Sequence, residues 1–437
     1  MDAIPLLDGL QPGPLATAVR ATLTEAGALG PVHSLGREVL APCQGCWGCW
    51  VEHPGTCKTA DGGNAVMRDV IGASAVLWTT EVRYGCWGAA TKAALDRSLG
   101  ILSPFFKARD GETRHHRRYA SYPRWGVLGV VGPEVSRQEQ DTFRRLVYRN
   151  TLNVYAGPPW VGLVPADAAE ADVRELVLQG LVHLGGPQAP APVPAAIRPA
   201  GAVGPAHIAG RPRHVVVWVG SAKPKGTSSS EALGRHLAVR LERRGWTSEV
   251  VYAAAVTHLS RAGAPRLVEA FMRADLVILA SPVYFDALPA LVLHGLDALA
   301  GAELGPARPA LLPIIQCGFP ELSHTEVAVS VARHAADLLR LGWAGHLAMG
   351  GGGALGGKPL SSLGGRARPQ VEALEAAAHE LDAGRPISAA TSARFAQAVL
   401  TPGLYRAIGQ LGWVVDAARR GGLTQLWRRP FPAATAR

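Results

Sequence analysis

The sequence predicts an α/β protein built from two tandem doubly wound sheets, each of five parallel strands, and three observations carry that expectation. The chain has 437 residues, more than one ordinary domain occupies. Short apolar runs alternate with stretches of helical periodicity, twice over, as in parallel strands covered on both faces by helices. Residues 186–212, GPQAPAPVPAAIRPAGAVGPAHIAGRP, are dense in Pro, Ala and Gly and read as an extended linker. The expected domains are therefore 1–185, the linker 186–212, and 213–437, the last with an extension beyond its sheet.

In the first half Ala3–Leu7 reads as a strand, Leu15–Ala26 as a helix, and Pro31–Val39 as a second strand leading to a cysteine-rich loop. Ala75–Thr80 (AVLWTT) is the third strand, followed by a helix from Gly88 to Leu99. Trp125–Val131 and Val154–Val164 supply two more, with a helix from Glu134 to Asn150 between them. The second half opens on His214–Gly220 (HVVVWVG), a continuous apolar run suited to a strand covered on both faces. Leu233, Leu237 and Leu241 repeat at helical spacing within Ser229–Arg244. Strands follow at Glu249–Ala253, Asp275–Ser281, Ala310–Cys317 and His346–Gly350. Helices around Pro265–Arg273, Leu288–Ala300 and Thr325–Leu341 separate the later ones, and Pro369–Leu381 with a tail rich in Trp, Arg and Pro lies beyond.

Composition narrows the function. The N-terminus MDAIPLLDGL carries Asp2 and Asp8 and no basic segment, so it does not read as a signal peptide. No apolar run reaches membrane-spanning length, since Leu288–Leu299 is broken by His294 and Asp297. A cytoplasmic protein without a membrane partner is expected. The net charge of +10 is scattered, with a local basic run at Arg114–Arg118 and another near the C-terminus. No zinc-finger pair, RNA-recognition signature or basic helix turns that charge into a nucleic-acid partner. No Ser/His/Asp set, H-E-x-x-H or acidic metal box supports a hydrolase.

Cys43, Cys46, Cys49 and Cys57 form C-x2-C-x2-C-x7-C in the run APCQGCWGCWVEHPGTCKTAD. Two-residue gaps let three thiolates curl round one centre, and soft thiolates select iron–sulfur clusters or zinc. The spacing points first to a cubane cluster and leaves a zinc knot, paired disulfides or unligated thiols open. Trp47 and Trp50 either shield such a cluster from water or pack between domains.

The loop GSAKPKGTSSS joins a strand end to a helix start, where free amides and the helix dipole suit a phosphate. Hydroxyls of Ser221, Thr227, Ser228, Ser229 and Ser230, with the charge of Lys223 or Lys225, add to it. Neither a Walker loop nor G-x-G-x-x-G is present. Pro282, Val283, Tyr284 and Phe285 leave the third strand as a rigid aromatic turn able to wall a flat heterocycle, and Cys317, Gly318 and Phe319 leave the fourth toward the same edge.

Taken together, GSAKPKGTSSS, ADLVILASPVYFDALPA, CGFPE and LGWAGHLAMGGGG make residues 214–353 resemble the flavodoxin-like NAD(P)H-dependent FMN reductase superfamily. The resemblance implies non-covalent FMN on a sheet of order 2-1-3-4-5, its ring held by loops 281–287 and 316–320. The first half resembles the iron–sulfur flavoprotein branch through CQGCWGCWVEHPGTCKTAD, TTEVRYGCWGAATKAALDR, SPFF and HHRRYASYPRWGVLG, over about residues 37–155. That branch implies Cys43, Cys46, Cys49 and Cys57 as ligands of a 4Fe-4S cluster. Its first loop departs from the pattern: in LDGLQPGPLATA, Asp8 would repel a phosphate, and Pro12 and Pro14 lack N–H donors. The first domain is therefore expected to have lost its FMN, and YAAAVTHLSRAGAP shows no cysteine cluster in the second. The branch pairs as dimers, which makes this tandem an internal pseudo-dimer, compatible with a homodimer, with the cysteine loop of one domain expected over the flavin of the other.

The function implied is electron transfer between FMN and a 4Fe-4S cluster, with NAD(P)H as co-substrate and a small-molecule or protein electron acceptor. The alternatives are a clusterless NAD(P)H-dependent FMN or quinone reductase with free or zinc-bound cysteines, and an electron-transfer protein without turnover. Among other residues, Cys86 is expected as a small buried side chain, Cys317 either faces the flavin or packs, and His115, His116 and His324 are expected to face solvent.

Overall fold

In the computed structural model of the chain the described residues are 2–36, 40–187, 213–255, 263–305 and 307–434. Most of the expected linker, residues 188–212, and the stretch 256–262 lie outside them. The chain forms two compact units: Met1–Cys43 with Trp47–Ala196 and Ala407–Arg437, and Gln44–Cys46 with Ile197–Arg406.

Unit 1 runs β1 (Ile4–Asp8), α1 (Pro14–Glu25), β2 (Leu29–Ser34), α2 (Gly48–Val51), α3 (Gly63–Gly72), β3 (Ala75–Arg83), β4 (Cys86–Trp87) and α4 (Ala89–Arg97). It continues with β5 (Leu102–Arg109), β6 (Glu112–Arg117), β7 (Arg124–Val131), α5 (Arg137–Asn153), β8 (Trp160–Pro165) and α6 (Glu170–Gly185). The parallel order is β2-β1-β3-β7-β8, with β4 folded back antiparallel on β3. One core gathers Ile4, Leu6, Leu77 and Leu128 from the strands with Val19 and Leu23 from α1 and Val173 and Val177 from α6. Each such side chain contributes about 1.5–3 kcal/mol by leaving water. On the other side Trp87 stacks edge-on against Phe143 and Trp125, and its indole N–H donates to Asn150 at 2.9 Å.

Three details differ from the sequence expectation. Helix α5, opened by a Ser136–Glu139 capping box, runs on to Asn153, so the fifth strand begins at Trp160 and not at Val154. Residues 114–117 of the RHHRR run lie in strand β6, paired antiparallel with β5, and Arg118 follows it, so the run is only partly solvated, at His116 and Arg117. Arg114 and Arg118 are buried there: Arg114 pairs with Glu112 and Asn153, while Arg118 donates to the carbonyls of Gly100 and Leu102. His115 rests on Trp50 at 4.3 Å, and His116 is exposed as expected. The second strand ends at Ser34, with 37–39 outside the described residues.

Unit 2 runs β9 (His214–Val219), α7 (Ser229–Glu242), β10 (Thr247–Tyr252), α8 (Gly263–Arg273), β11 (Leu276–Pro282), α9 (Ala290–Ala300), β12 (Ala310–Gln316) and α10 (Glu326–Leu338). Then come β13 (Gly342–Trp343), β14 (Leu347–Met349), α11 (Arg368–Asp382) and α12 (Ala389–Phe395), and α13 (Pro402–Arg419) starts here but belongs to unit 1 from Ala407 on. The order is β10-β9-β11-β12-β13, all parallel, and β14 also pairs with β12. The last strand is thus two short pieces, not one run from His346 to Gly350. Gly234 lets α7 lie close on the sheet, since a Cβ there would sit 2.8 Å from Ala280 and Val217. Both units therefore carry the 2-1-3-4-5 order of a flavodoxin-like sheet.

The domain boundary at the C-terminus also differs from expectation. Ala407–Arg437, assigned by sequence to the second half, groups with unit 1. Trp413, Ala417 and Leu426 pack with Trp47, Trp50, Val51 and Cys49, and Arg118 donates to the carbonyls of Leu426 (3.0 Å) and Arg428 (2.8 Å). Burial of these aromatic surfaces holds the tail there.

Candidate functional site

In a doubly wound sheet, ligands sit outside the carboxyl ends of the strands, where the order reverses. In unit 2 that place lies between β9 and β11, and three loops meet at this edge. The first runs from Gly220 to Ser228. The Gly220 amide donates to Ala280 O at 2.8 Å, and a Cβ on Gly220 would stand 2.7 Å from Ser281 Oγ, so this glycine is required by close approach. Ser221 is buried and its Oγ accepts from the Lys223 amide at 3.3 Å. Burial pushes the Lys223 ammonium below the ordinary lysine range. Lys225 lies over the Tyr252 ring. Thr227, at the exposed rim, donates to Pro224 O at 2.6 Å. The Gly226 amide donates to the buried Glu231 carboxylate at 2.8 Å, which shapes the loop from the first turn of α7.

Ser228 is the N-cap of α7, yet no side chain caps the helix through it. The first-turn amides therefore point out at the loop with the positive end of the helix dipole behind them. Ser229 Oγ accepts from the Gly357 amide (3.1 Å) and Ser230 Oγ from Gln316 Nε2 (3.1 Å). Both hydroxyls keep their own O–H as a donor. These two bonds were not legible in the sequence, although the run MGGGGALGG carried a signal for them. A Cβ on Gly357 would lie 2.0 Å from Thr227 O, and one on Gly352 would lie 1.8 Å from Gln316 Oε1.

The second and third loops leave β11 and β12, which run in register from Leu276↔Ala310 to Pro282↔Gln316. Pro282 is buried at the strand end, and the Val283 amide donates to Gln316 O at 2.9 Å. Tyr284 and Ala287 then exchange backbone hydrogen bonds (2.9 and 3.1 Å) around Phe285 and Asp286. Both central residues are left-handed, with φ of 46° and 59°. Neither is glycine, and such backbone costs about 1–3 kcal/mol per residue unless its surroundings hold it. Tyr284 and Phe285 are half-buried at the turn, consistent with a wall rather than a core plug.

On the third loop Cys317 is buried, its backbone bonded to Met349 O (3.0 Å) and to the Gly352 amide (2.8 Å). Gly318 is exposed and Phe319 half-buried, its ring 5.0 Å from that of His324. His324 is not a solvent-facing loop residue: it is 2 % exposed, with Nδ1 3.1 Å from the equally buried Asp286 and Nε2 3.7 Å from Glu321. Burial pushes the Tyr405 hydroxyl well above the ordinary phenol range, with Cys317 and Glu321 reinforcing the shift. Sequence reasoning placed Asp286 and Gln316 in loops at this edge without their partners, and it missed Tyr405.

Unit 1 offers the matching place, and its contents differ. The Gly9 amide donates to Thr79 O at 3.0 Å, as Gly220 does to Ala280 O. Asp8, buried at the end of β1, accepts from the Leu10 amide (3.2 Å), the Thr79 hydroxyl (2.8 Å) and Arg20 (2.6 and 3.1 Å). A carboxylate thus already takes the loop amide and the nearby cation.

None of the four cysteines is in a disulfide. Among the described residues no group of three or more His, Cys, Asp or Glu is arranged to hold a metal ion. Cys46 falls in unit 2 and Cys43, Cys49 and Cys57 in unit 1. Cys49 is drawn into the short helix α2 and its Trp47–Trp50–Trp413 cluster. Cys57 is clamped through its backbone by Asn64, at 2.8 and 2.9 Å. The 4Fe-4S cluster or zinc ion that the cysteine spacing predicts is thus not shown among the described residues. Cys86 is fully buried, as expected.

No family model matches the chain, and no curated protein matches it. Solved structures do align. An azoreductase from Bacillus anthracis is 12 % identical, covering 39 % of this chain and 99 % of its own, with a TM-score of 0.28. An NAD(P)H:quinone oxidoreductase from Methanothermobacter marburgensis is 16 % identical over 39 % of this chain and 96 % of its own, with a TM-score of 0.30. A flavodoxin from Streptococcus pneumoniae is 18 % identical over 39 % and 97 %, with a TM-score of 0.27. At these scores the likenesses carry no weight of their own, and the fold rests on the strand order. Among the described residues no helix is long and apolar enough to cross a membrane.

Proposed function

We infer that unit 2 binds one FMN non-covalently at the carboxyl edge of its sheet, and that the protein is an NAD(P)H-dependent oxidoreductase serving a small-molecule or protein electron acceptor. The observation that carries this reading is the start of α7, whose N-cap Ser228 makes no side-chain cap, facing a loop of serines and the half-buried Lys223. The fit to a phosphate monoester is chemical. Amides of the first turn, the hydroxyls of Ser229 and Ser230, and the Lys223 ammonium are all donors, and the close-approach glycines keep side chains out of the way. FMN, when bound, supplies reversible two-electron chemistry at its ring. The chain's own part is to hold the phosphate at α7, to lay Tyr284 and Phe285 along the ring, and to keep water from it with Pro282, Val283, Cys317 and Phe319. Gly318, exposed, lets a second flat ligand approach.

Unit 1 is read as flavin-free, because Asp8 meets the groups a phosphate would need. The iron–sulfur step expected from the cysteine spacing is not part of this reading.

The test is direct. Full-length protein titrated with FMN should quench flavin fluorescence at one equivalent per chain, and NADPH or NADH should bleach the bound flavin under anaerobic conditions. Protein that takes up no FMN refutes the reading. Protein that takes it up without bleaching by either nucleotide favours electron transfer without turnover.

A further inference from the structure

The flavin-facing turn after β11 carries two adjacent left-handed residues, Phe285 and Asp286, where glycine is the ordinary choice. Something must hold it. The turn's own two backbone hydrogen bonds close it but do not compensate side chains in that conformation. Asp286 turns its carboxylate inward to His324 Nδ1 at 3.1 Å, and both side chains are almost fully buried. His324 stands on the short helical turn Leu322–Thr325 that leads into α10. On its other side stand Glu321, 3.7 Å from Nε2 and beyond hydrogen-bond range, and the Phe319 ring. Glu321 is in turn 3.9 Å from Arg406. A buried carboxylate and imidazole thus tie the loop after β11 to the loop after β12.

We propose that the Asp286–His324 pair is a latch that holds the strained 284–287 turn in its flavin-facing shape, which makes both of them positioning residues for the cofactor. The pair touches the site through the backbone of the turn and not through the flavin itself. This inference deepens the reading of unit 2 as an FMN site and rests on it for the ligand. The physical logic sets apart two kinds of change at one position. Asp286→Ala removes the latch and leaves a side chain in the left-handed region. Asp286→Gly removes the latch and the strain together, because glycine adopts that backbone at no steric cost.

Two readouts on the full chain test it. Amide exchange of Tyr284 and Ala287, measured without FMN, should speed up by roughly tenfold or more in Asp286→Ala and in His324→Gln, and return near the parent rate in Asp286→Gly. FMN affinity should follow the same order, weakening about tenfold in the first two and less than about threefold in the glycine variant. A circular-dichroism melt confirms that each variant is folded. If Asp286→Gly behaves like Asp286→Ala in exchange, or if His324→Gln leaves exchange unchanged, the latch is refuted. If exchange follows the expected order while the parent protein binds no FMN, the latch stands and the flavin reading fails.

Discussion

Units 1 and 2 fold one sheet order and spend its most useful corner in opposite ways. Gly9 and Gly220 occupy the same place, each donating to the third strand of its own sheet. One residue earlier, unit 1 has Asp8, whose carboxylate takes the Leu10 amide, the Thr79 hydroxyl and Arg20. Unit 2 has Val219 there, buried in the core, and leaves its loop to serines and Lys223. The comparison teaches that the fold supplies a place for an anion, while a single side chain at the strand end decides whether the protein fills it itself. Fold and function separate at the level of a loop.

That comparison can be broken or sharpened. The largest effect is expected from Ser221→Asp, which brings a carboxylate into the unit 2 loop. FMN affinity should fall at least about 100-fold, or ~2.8 kcal/mol, read by fluorescence titration. Unchanged affinity would mean that the phosphate is not held there. The converse variant, Asp8→Ala, strips three partners of their acceptor. Because Arg20 remains partly in solvent, the cost is about 2–3 kcal/mol, seen by calorimetry as a melting temperature roughly 5–10 °C lower. A melt that does not move would show that Asp8 is an incidental occupant.

Lys223 gives a smaller, pH-dependent effect. Its ammonium loses its proton below the ordinary lysine range because it is buried, so FMN affinity should decline as pH rises, starting earlier than a solvated lysine would allow. Lys223→Met should bind FMN about three- to tenfold more weakly at pH 7 and lose the alkaline decline that the parent shows beyond the flavin's own titration. Parallel pH curves for the two proteins would remove Lys223 from the site.

In unit 1, Asp61 provides an acid-side check. Burial alone would raise its carboxyl, but the hydrogen bond from Arg97, with the Gly63 and Ala41 amides, outweighs burial and holds it below the usual carboxylate range. A depressed folded value contributes stability above the unfolded value and loses it as pH falls through the folded one. Asp61→Asn should therefore melt less steeply with falling pH below about 4 than the parent does. The smallest effect concerns the thiols. Cys49→Ser with Cys57→Ser should leave FMN stoichiometry unchanged, because the flavin loops belong to unit 2. Loss of FMN in that variant would restore the cysteines to the redox site.

The strand–helix cadence, the serine-rich loop after β9 and the Pro282–Phe285 turn were legible because they depend on neighbours in the chain: apolar runs, hydroxyl density and a rigid proline. The second aspartate of the chain, Asp8, was legible as an obstacle to phosphate, though its partners were not. Other features escaped for a shared reason. Arg114 and Arg118 read as solvated charge because several of their acceptors, Asn153 and the carbonyls of Leu426 and Arg428, lie far along the chain. Their neighbour His115 escaped with them, its ring on Trp50. His324 read as a loop histidine because its partner, Asp286, comes from another loop. The cysteine spacing measures reach along the chain, and it could not show that Cys49 packs among tryptophans or that Asn64 holds the Cys57 backbone.

By itself, then, the amino-acid order determined which segments become strands and helices, and which loop carries the donors suited to a phosphate. Local backbone preference and hydrophobic period are properties of nearby residues. Tertiary structure alone decided that the tail joins unit 1, that Cys49 packs among tryptophans, and that Asp286 finds His324. Each of those outcomes is a competition among distant partners for burial and hydrogen bonds, and it is settled when the sheets bring the partners together.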